Sequence, residues 1–200
     1  MNNIAIGLSG AHRTGKTTLA KELAKKMGMN FSPSFVSKIF EKRGFDPRST
    51  LPIMDRLTIQ QEILDAHVDT WLSASGGFVT DRTYLDFIAY TLCNVRQEDL
   101  NDPVVNRMLN KFIDDVEEAT MCFEHIFVLR PGIGVMEEPG KASTNWFHIK
   151  QLDTAICGTA LDMMSRFDVE DNAILIMPDE ALELNHRVEL IKGVIENHYG

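Results

Sequence analysis

The residues best equipped for chemistry stand near the start of the chain: Gly10-Ala11-His12-Arg13-Thr14-Gly15-Lys16-Thr17. Their spacing fits G-x-x-x-x-G-K-[ST], and each residue type has a job there. Gly10 and Gly15 permit backbone angles that a side chain would forbid, so successive N–H groups can turn inward. With the first turn of a following helix, those N–H groups form an anion cradle for a triphosphate. Lys16 places a cation between the β- and γ-phosphates, and Thr17 offers a hydroxyl to Mg²⁺. Nucleotide contacts are therefore expected from Gly10, Ala11, His12, Arg13, Thr14, Gly15, Lys16, Thr17 and Thr18. A glycine-containing turn with a chance Lys-Thr is the bland alternative. The phosphate-loop reading needs a strand before the motif and a helix after it, and both patterns are present. Ile4–Leu8 is a short apolar run, and Thr17–Met27 has helical periodicity through Leu19, Leu23 and Met27.

A second group follows the short strand predicted at Phe78-Val79-Thr80, which delivers Asp81-Arg82-Thr83. A carboxylate at the end of a strand beside a phosphate loop can hold Mg²⁺ or its water, so Thr17 and Asp81 are the candidate metal ligands. Arg82 can balance charge on a transferring phosphoryl group or hold an anionic acceptor. The alternative is a strand-end Asp that only caps the helix predicted over Tyr84–Leu92. Asp86, about one turn after Arg82, joins the candidate acceptor contacts.

The elements that must position these groups extend along the rest of the chain. A helix is predicted over Pro52–Ser73, with Ile53, Leu57, Leu64, Val68 and Trp71 as its apolar stripe. Gln61 falls on that stripe, where a polar amide needs a partner: an acceptor's base or sugar edge, or a neighbouring loop's backbone. Ile126–Leu129 reads as a buried strand, and Arg130 at its C-terminal end would face the ligand crevice of a doubly wound sheet. Gly132–Asn145 is rich in Gly and Pro and precedes a helix over Phe147–Arg166. Such a segment suits a lid closing over phosphates, with Lys141 or Lys150 as its cation, or else it is an ordinary surface loop. Arg43 and Arg48 border a turn-rich connection and are read as solvated in preference to rim contacts. Apart from His12, which lies within the loop, the histidines show no i, i+4 metal spacing and read as structural or solvated. A last strand is expected at Ala173–Met177 and a terminal amphipathic helix at Glu180–Tyr199.

The bulk properties bound the rest. Two hundred residues with 44% hydrophobic content suffice for one domain with a real core. No run is long enough to span a membrane, and Met1-Asn2-Asn3 leads straight into a strand, which predicts no leader. Cys93, Cys122 and Cys157 fit no zinc pattern and point to reduced thiols in a cytoplasm. A formal charge of −9 argues against broad electrostatic binding to nucleic acid.

Strand, phosphate loop, helix, a strand ending in Asp-Arg, a lid and a final strand-helix unit: this order resembles the P-loop nucleoside and nucleotide kinases. Within that group the chain is similar to the small ATPase/kinase family that includes the ribosylnicotinamide kinase domain of bacterial NAD-biosynthesis regulators and phage-encoded relatives. Gly10–Thr18, Val79–Tyr90 and the Leu129–Leu161 strand-lid-helix pattern carry the likeness. Asp81-Arg82 with Ala89-Tyr90 also resembles thymidylate kinases. Relatives place an arginine where this chain has Pro139-Gly140-Lys141, and an acid where it has Ser37 and Lys38. The implied fold is a three-layer α/β sandwich of the P-loop NTPase kind, with about five parallel strands in one domain, 1–200, and a lid at 132–145. The implied activity is ATP- and Mg²⁺-dependent phosphoryl transfer to a small nucleoside or nucleotide. Lys16, Asp81, Arg82 and Lys141 are its catalytic candidates, and Gln61, Asp86 and Arg130 its substrate contacts. Two other expectations stay open: a kinase acting on a modified base in phage DNA, and a switch that hydrolyses ATP slowly.

Overall fold

In the computed structural model, which describes residues 4–47, 49–134, 145–166 and 173–199, the strands are short and the three central ones are buried. The chain runs β1 (Ala5–Gly10), α1 (Lys16–Met27), β2 (Asn30–Ser32), α2 (Val36–Lys42), α3 (Ile53–Leu72), β3 (Phe78–Thr80), α4 (Tyr84–Leu92), α5 (Pro103–Glu118), β4 (His125–Leu129), α6 (Trp146–Arg166), β5 (Ala173–Ile176) and α7 (Leu184–Tyr199). The five strands pair in parallel in the order β2-β3-β1-β4-β5. This is the predicted α/β sandwich.

Strand alternation sends side chains into two cores, one on each face of the sheet. Ile6, Leu8, Val79, Phe127 and Leu129 pack under α1 and α7 with Leu19, Leu23, Val188 and Ile191. Ala5, Phe78, Ile126 and Val128 face the other way, against α2 to α6, with Phe40, Ile63, Phe87, Phe112 and Ile156. Burial on both faces is what parallel strands require, and it explains their near-continuous apolar sequences.

β1 occupies the centre, between β3 and β4, so the loop that follows it opens at the carboxyl edge of the sheet, where ligands bind in such folds. α4 presses closely on β1: a Cβ built on Gly7 would come within 2.4 Å of the Thr83 methyl. Glycine in mid-strand therefore lets Thr83, the N-cap of α4, lie against the strand that leads into the loop. A capping box fixes that helix start. The Thr83 hydroxyl accepts from the Leu85 amide at 3.2 Å, and Asp86 accepts from the Thr83 amide at 3.1 Å.

Three boundaries differ from expectation, each for a local reason. β1 runs two residues further, because Ser9 and Gly10 still pair with Val128 and Leu129. The acidic stretch from Asp99 to Ala119, helical by its pattern from the first residue, forms its helix only from Pro103, where Asp102 caps it by accepting from the Val104 amide at 2.7 Å. α7 begins at Leu184, after turns in which the Ala181 amide donates to Pro178. Among the described residues, no helix is long and apolar enough to cross a membrane.

Candidate active site

β1 ends at Gly10, whose φ of 149° and whose approach to the Leu129 carbonyl (2.6 Å from a built Cβ) exclude other residues. The loop then closes on itself, with the Thr14 hydroxyl donating to the Ala11 carbonyl at 2.9 Å. Lys16 is buried at the first turn of α1, where its ammonium donates to the carbonyls of Gly10 (2.5 Å) and Ala11 (2.9 Å). Burial pulls its pKa down to about 8, although Asp86, 3.9 Å away, pulls the other way. The loop's own oxygens thus hold a dehydrated cation where donor phosphates would compete for it.

Asp81 ends β3 beside this loop, as the sequence predicts. The Thr17 hydroxyl donates to its Oδ2, while its Oδ1 is buried with no hydrogen-bond partner among the described residues. A hydroxyl and a carboxylate with one unsatisfied oxygen are hard donors of the kind Mg²⁺ takes, so the pair fits that ion.

Asp86 is fully buried and joins the two motifs. Its Oδ1 accepts from the Gly10 amide at 3.4 Å and from the Arg82 guanidinium at 3.4 Å, and its Oδ2 takes the Thr83 amide. Arg82 also lies over the Tyr90 ring, 4.7 Å from its centroid, a cation–π contact that fixes its direction.

Next to this hub is a cavity of about 720 Å³. Arg82, Asp86 and His12 form its loop-side wall, Phe40, Arg56, Gln60 and Ile63 its α2–α3 wall, and Phe87 and Tyr90 its α4 wall. His148 on α6 also lines it, with its ring 5.2 Å from that of His12; the Tyr90 hydroxyl lies 3.5 Å from His12 Nδ1. The sequence expectation that His12 falls near the phosphates thus gains a second side, because His12 stands between loop and cavity.

Several expected contacts are not at the cavity. Gln61 is a correction: its amide donates to Asp65 (2.9 Å) and Asp115 (2.7 Å), facing α5. The buried face of α3 is Leu57, Ile59, Gln60, Ile63, Leu64, His67 and Trp71; it keeps Leu57, Leu64 and Trp71 of the predicted stripe and widens on the side of Gln60, which lines the cavity. Arg130 is also corrected. It forks onto Asp153 at 2.9 and 3.1 Å and reaches Asp179, just past β5, at 3.2 Å, and it is not part of the cavity lining. Lys150 joins the same Asp153 at 3.0 Å. Arg43 is tied to Glu62 on the surface, Nε to Oε2 at 3.0 Å, as a solvated residue should be. Lys141, Arg48 and nearly all of the predicted lid lie outside the described residues. Sequence reasoning missed Gln60, Arg56, Tyr90 and His148. For Gln60 a signal existed: Gln60, Ile63, His67 and Trp71 form an i, i+3, i+7, i+11 run.

Three kinds of comparison bear on this geometry. A family model described as an AAA domain matches residues 5–119, more than half of the chain. No curated protein matches. Among solved structures, a deoxyadenosine kinase from M. mycoides with dCMP and dCDP superposes with a TM-score of 0.68 at 20% identity, over 97% of this chain and 99% of that one. The NadR protein in complex with NR gives 0.68 at 18% identity, over 96% of this chain and 51% of that one. Thymidylate kinase from Candida albicans gives 0.55 at 14% identity, over 99% and 93%. At these identities the likeness establishes the fold, which is that of the P-loop nucleoside and nucleotide kinases. With its phosphate loop, its Asp-Arg strand end and that match across both, the chain belongs to the AAA-domain family.

Proposed function

We propose that this protein transfers a phosphoryl group from ATP to a small nucleoside or nucleotide. One observation carries the reading: the loop cation and the cavity meet at a single carboxylate. Asp86 lies 3.9 Å from Lys16 and also forms the cavity wall, so a donor bound in the loop directs its terminal phosphate towards whatever fills the cavity. The solved relatives named above, a deoxyadenosine kinase with dCMP and dCDP bound and a thymidylate kinase among them, support the same class of acceptor. The net charge of −9 favours a small acceptor over a nucleic acid.

The protein's part is alignment and charge stabilisation, since phosphoryl transfer asks for little covalent chemistry. Loop amides and Lys16 bind the donor phosphates, with Lys16 exchanging the Gly10 and Ala11 carbonyls for phosphate oxygens. Thr17 and Asp81 would hold Mg²⁺, which neutralises phosphate charge when bound. Arg82, aimed by Asp86 and Tyr90, faces the transferring group from the cavity side. Gln60 offers an amide to the acceptor's base or sugar.

The test is turnover of ATP against a panel of nucleosides, nucleoside monophosphates and modified DNA, with product identified by mass. Acceptor-dependent ADP release with a phosphorylated small molecule is the expected result. ADP release indifferent to every acceptor, or phosphate appearing only on DNA, would overturn it.

A further inference from the structure

Arg187 on α7 is only 2% exposed and has no carboxylate partner among the described residues. Its guanidinium is satisfied by backbone carbonyls alone. Nη1 donates to Thr14 in the phosphate loop at 2.6 Å, Nη2 to Arg130 at the end of β4 at 3.4 Å, and Nε to Ala181 after β5. The side chain therefore clasps three segments at the carboxyl edge of the sheet from behind the loop. It also touches the loop's turn, since a Cβ built on Gly15 would be 3.6 Å from Nη1.

Two consequences follow from elementary geometry and charge. In a trans peptide the C=O of Thr14 and the N–H of Gly15 point in opposite directions, and the chain has no cis bond among the described residues. Holding the Thr14 carbonyl backward thus aims the Gly15 amide forward, into the anion cradle. Second, hydrogen bonds to carbonyls leave the charge itself unneutralised. Arg187 is buried against Thr14 and Gly15, the residues that lead into the N-terminus of α1, and burial weakens the screening of its charge there. A buried cation held only by carbonyls is costly while no anion faces it and is relieved by a polyanion bound at the loop.

We propose that Arg187 is a positioning residue for the donor polyphosphate: it aims the Gly15 amide through the Thr14 carbonyl, and the bound polyphosphate supplies its missing counter-charge. The inference rests on the nucleotide-binding part of the reading above and not on the identity of the acceptor. Its signature is a loss of affinity that grows with phosphate number.

The experiment measures calorimetric binding of adenosine, AMP, ADP and ATP, with magnesium and without acceptor, to the wild type, Arg187→Met and Arg187→Lys, together with the melting temperature of each. Arg187→Met should weaken ATP and ADP at least 10-fold, AMP less, and adenosine under 2-fold. Arg187→Lys, which keeps the charge and loses the three-way clasp, should recover part of the ATP affinity. If Arg187→Met does not fold, Arg187→Lys carries the test by the ratio of its ATP and adenosine losses. An equal loss for all four ligands, or none, overturns the proposal and leaves Arg187 a purely structural clasp. Binding of none of the four to the wild type overturns it together with the nucleotide reading. Graded losses in a protein that phosphorylates no acceptor would uphold Arg187 and remove the kinase.

Discussion

Lys16 is held at hydrogen-bond distance by two neutral carbonyls, with Asp86 further off at 3.9 Å, so its charge is available to the donor and to the transition state. Lys16→Ala should therefore abolish nearly all turnover, by ~10²–10³-fold or about 3–4 kcal/mol, with the melting temperature little changed. A kinetic assay run beside a melting curve checks both halves. Gln60 makes a different claim. Gln60 lines the cavity from α3, and Gln60→Leu should raise the acceptor KM by roughly tenfold or more while ATP KM stays within twofold. Gln61→Leu is the control, because that amide is spent on Asp65 and Asp115, and it should leave both constants alone. These two neighbours show what was legible at this scale. Lys16, Thr17, Asp81 and Arg82 can be read from the sequence because motif spacing places them relative to a strand end. Gln60 and Gln61 are separated only by the phase of a helix, and an apolar stripe drawn through Leu57 and Leu64 admits either. Arg187 is not legible at all, since its partner Thr14 is 173 positions away.

The element that most controls the site is α4, because its first turn supplies Thr83 and Asp86 and its approach to β1 sets their distance from the loop. That approach depends on the missing side chain of Gly7, where a Cβ would stand 2.4 Å from the Thr83 methyl and 3.2 Å from Phe123. Gly7→Ala should push the N-terminus of α4 off the sheet, costing ~1–3 kcal/mol of stability and lowering turnover through displaced Asp86 and Arg82. Thermal unfolding and kinetics on the same sample check this, and Gly193→Ala, in α7 with open space around it, should do neither. Elements bounded by strong punctuation were legible to the residue: β3 after Gly76-Gly77, and α4 between Thr83 and Cys93. The start of α7 was not, because Asp179–Glu183 is acidic enough to continue a helical pattern, whereas turns after Pro178 and the Arg187 bond to Ala181 hold that stretch out of the helix.

At the scale of the molecule, two buried histidines set how stability answers to acid. His67 sits among Phe35, Trp71 and Phe87, with its Nδ1–H donated to the Ile63 carbonyl at 2.6 Å and its Nε2 accepting the Phe35 amide at 3.4 Å. That pattern needs a neutral ring, and burial holds its pKa down to about 4, against the Ile63 bond and with help from Arg82, while Asp81 opposes. His125 is buried at the opposite end of β4, facing His198 at 5.0 Å and Tyr199 at 5.6 Å, with Glu124 beside it in the chain. Burial, reinforced by His198, holds it near 4 as well. Unfolded histidine titrates near 6.5, so between pH ~6.5 and ~4 the unfolded chain takes up protons that the folded chain refuses. Their contribution is fully present above about pH 6.5 and is lost as pH falls towards 4. By pH 5 the loss amounts to roughly 2 kcal/mol for each ring, or some 4–8 °C in melting temperature for a chain of this size. Melting curves from pH 8 to pH 4.5 should therefore be level at the upper end and fall steeply below about 6.5. His67→Gln keeps an amide for the Ile63 carbonyl and His125→Phe keeps a ring in the same apolar site. His67→Gln should lower the melting temperature at pH 8 by a few degrees, whereas His125→Phe, which removes two buried nitrogens with no hydrogen-bond partner among the described residues, should leave it level or raise it; each should remove about half of the acid-dependent fall. A double variant whose curve falls as steeply as the wild type would show that the acid sensitivity lies in the paired carboxylates of the surface and active site instead.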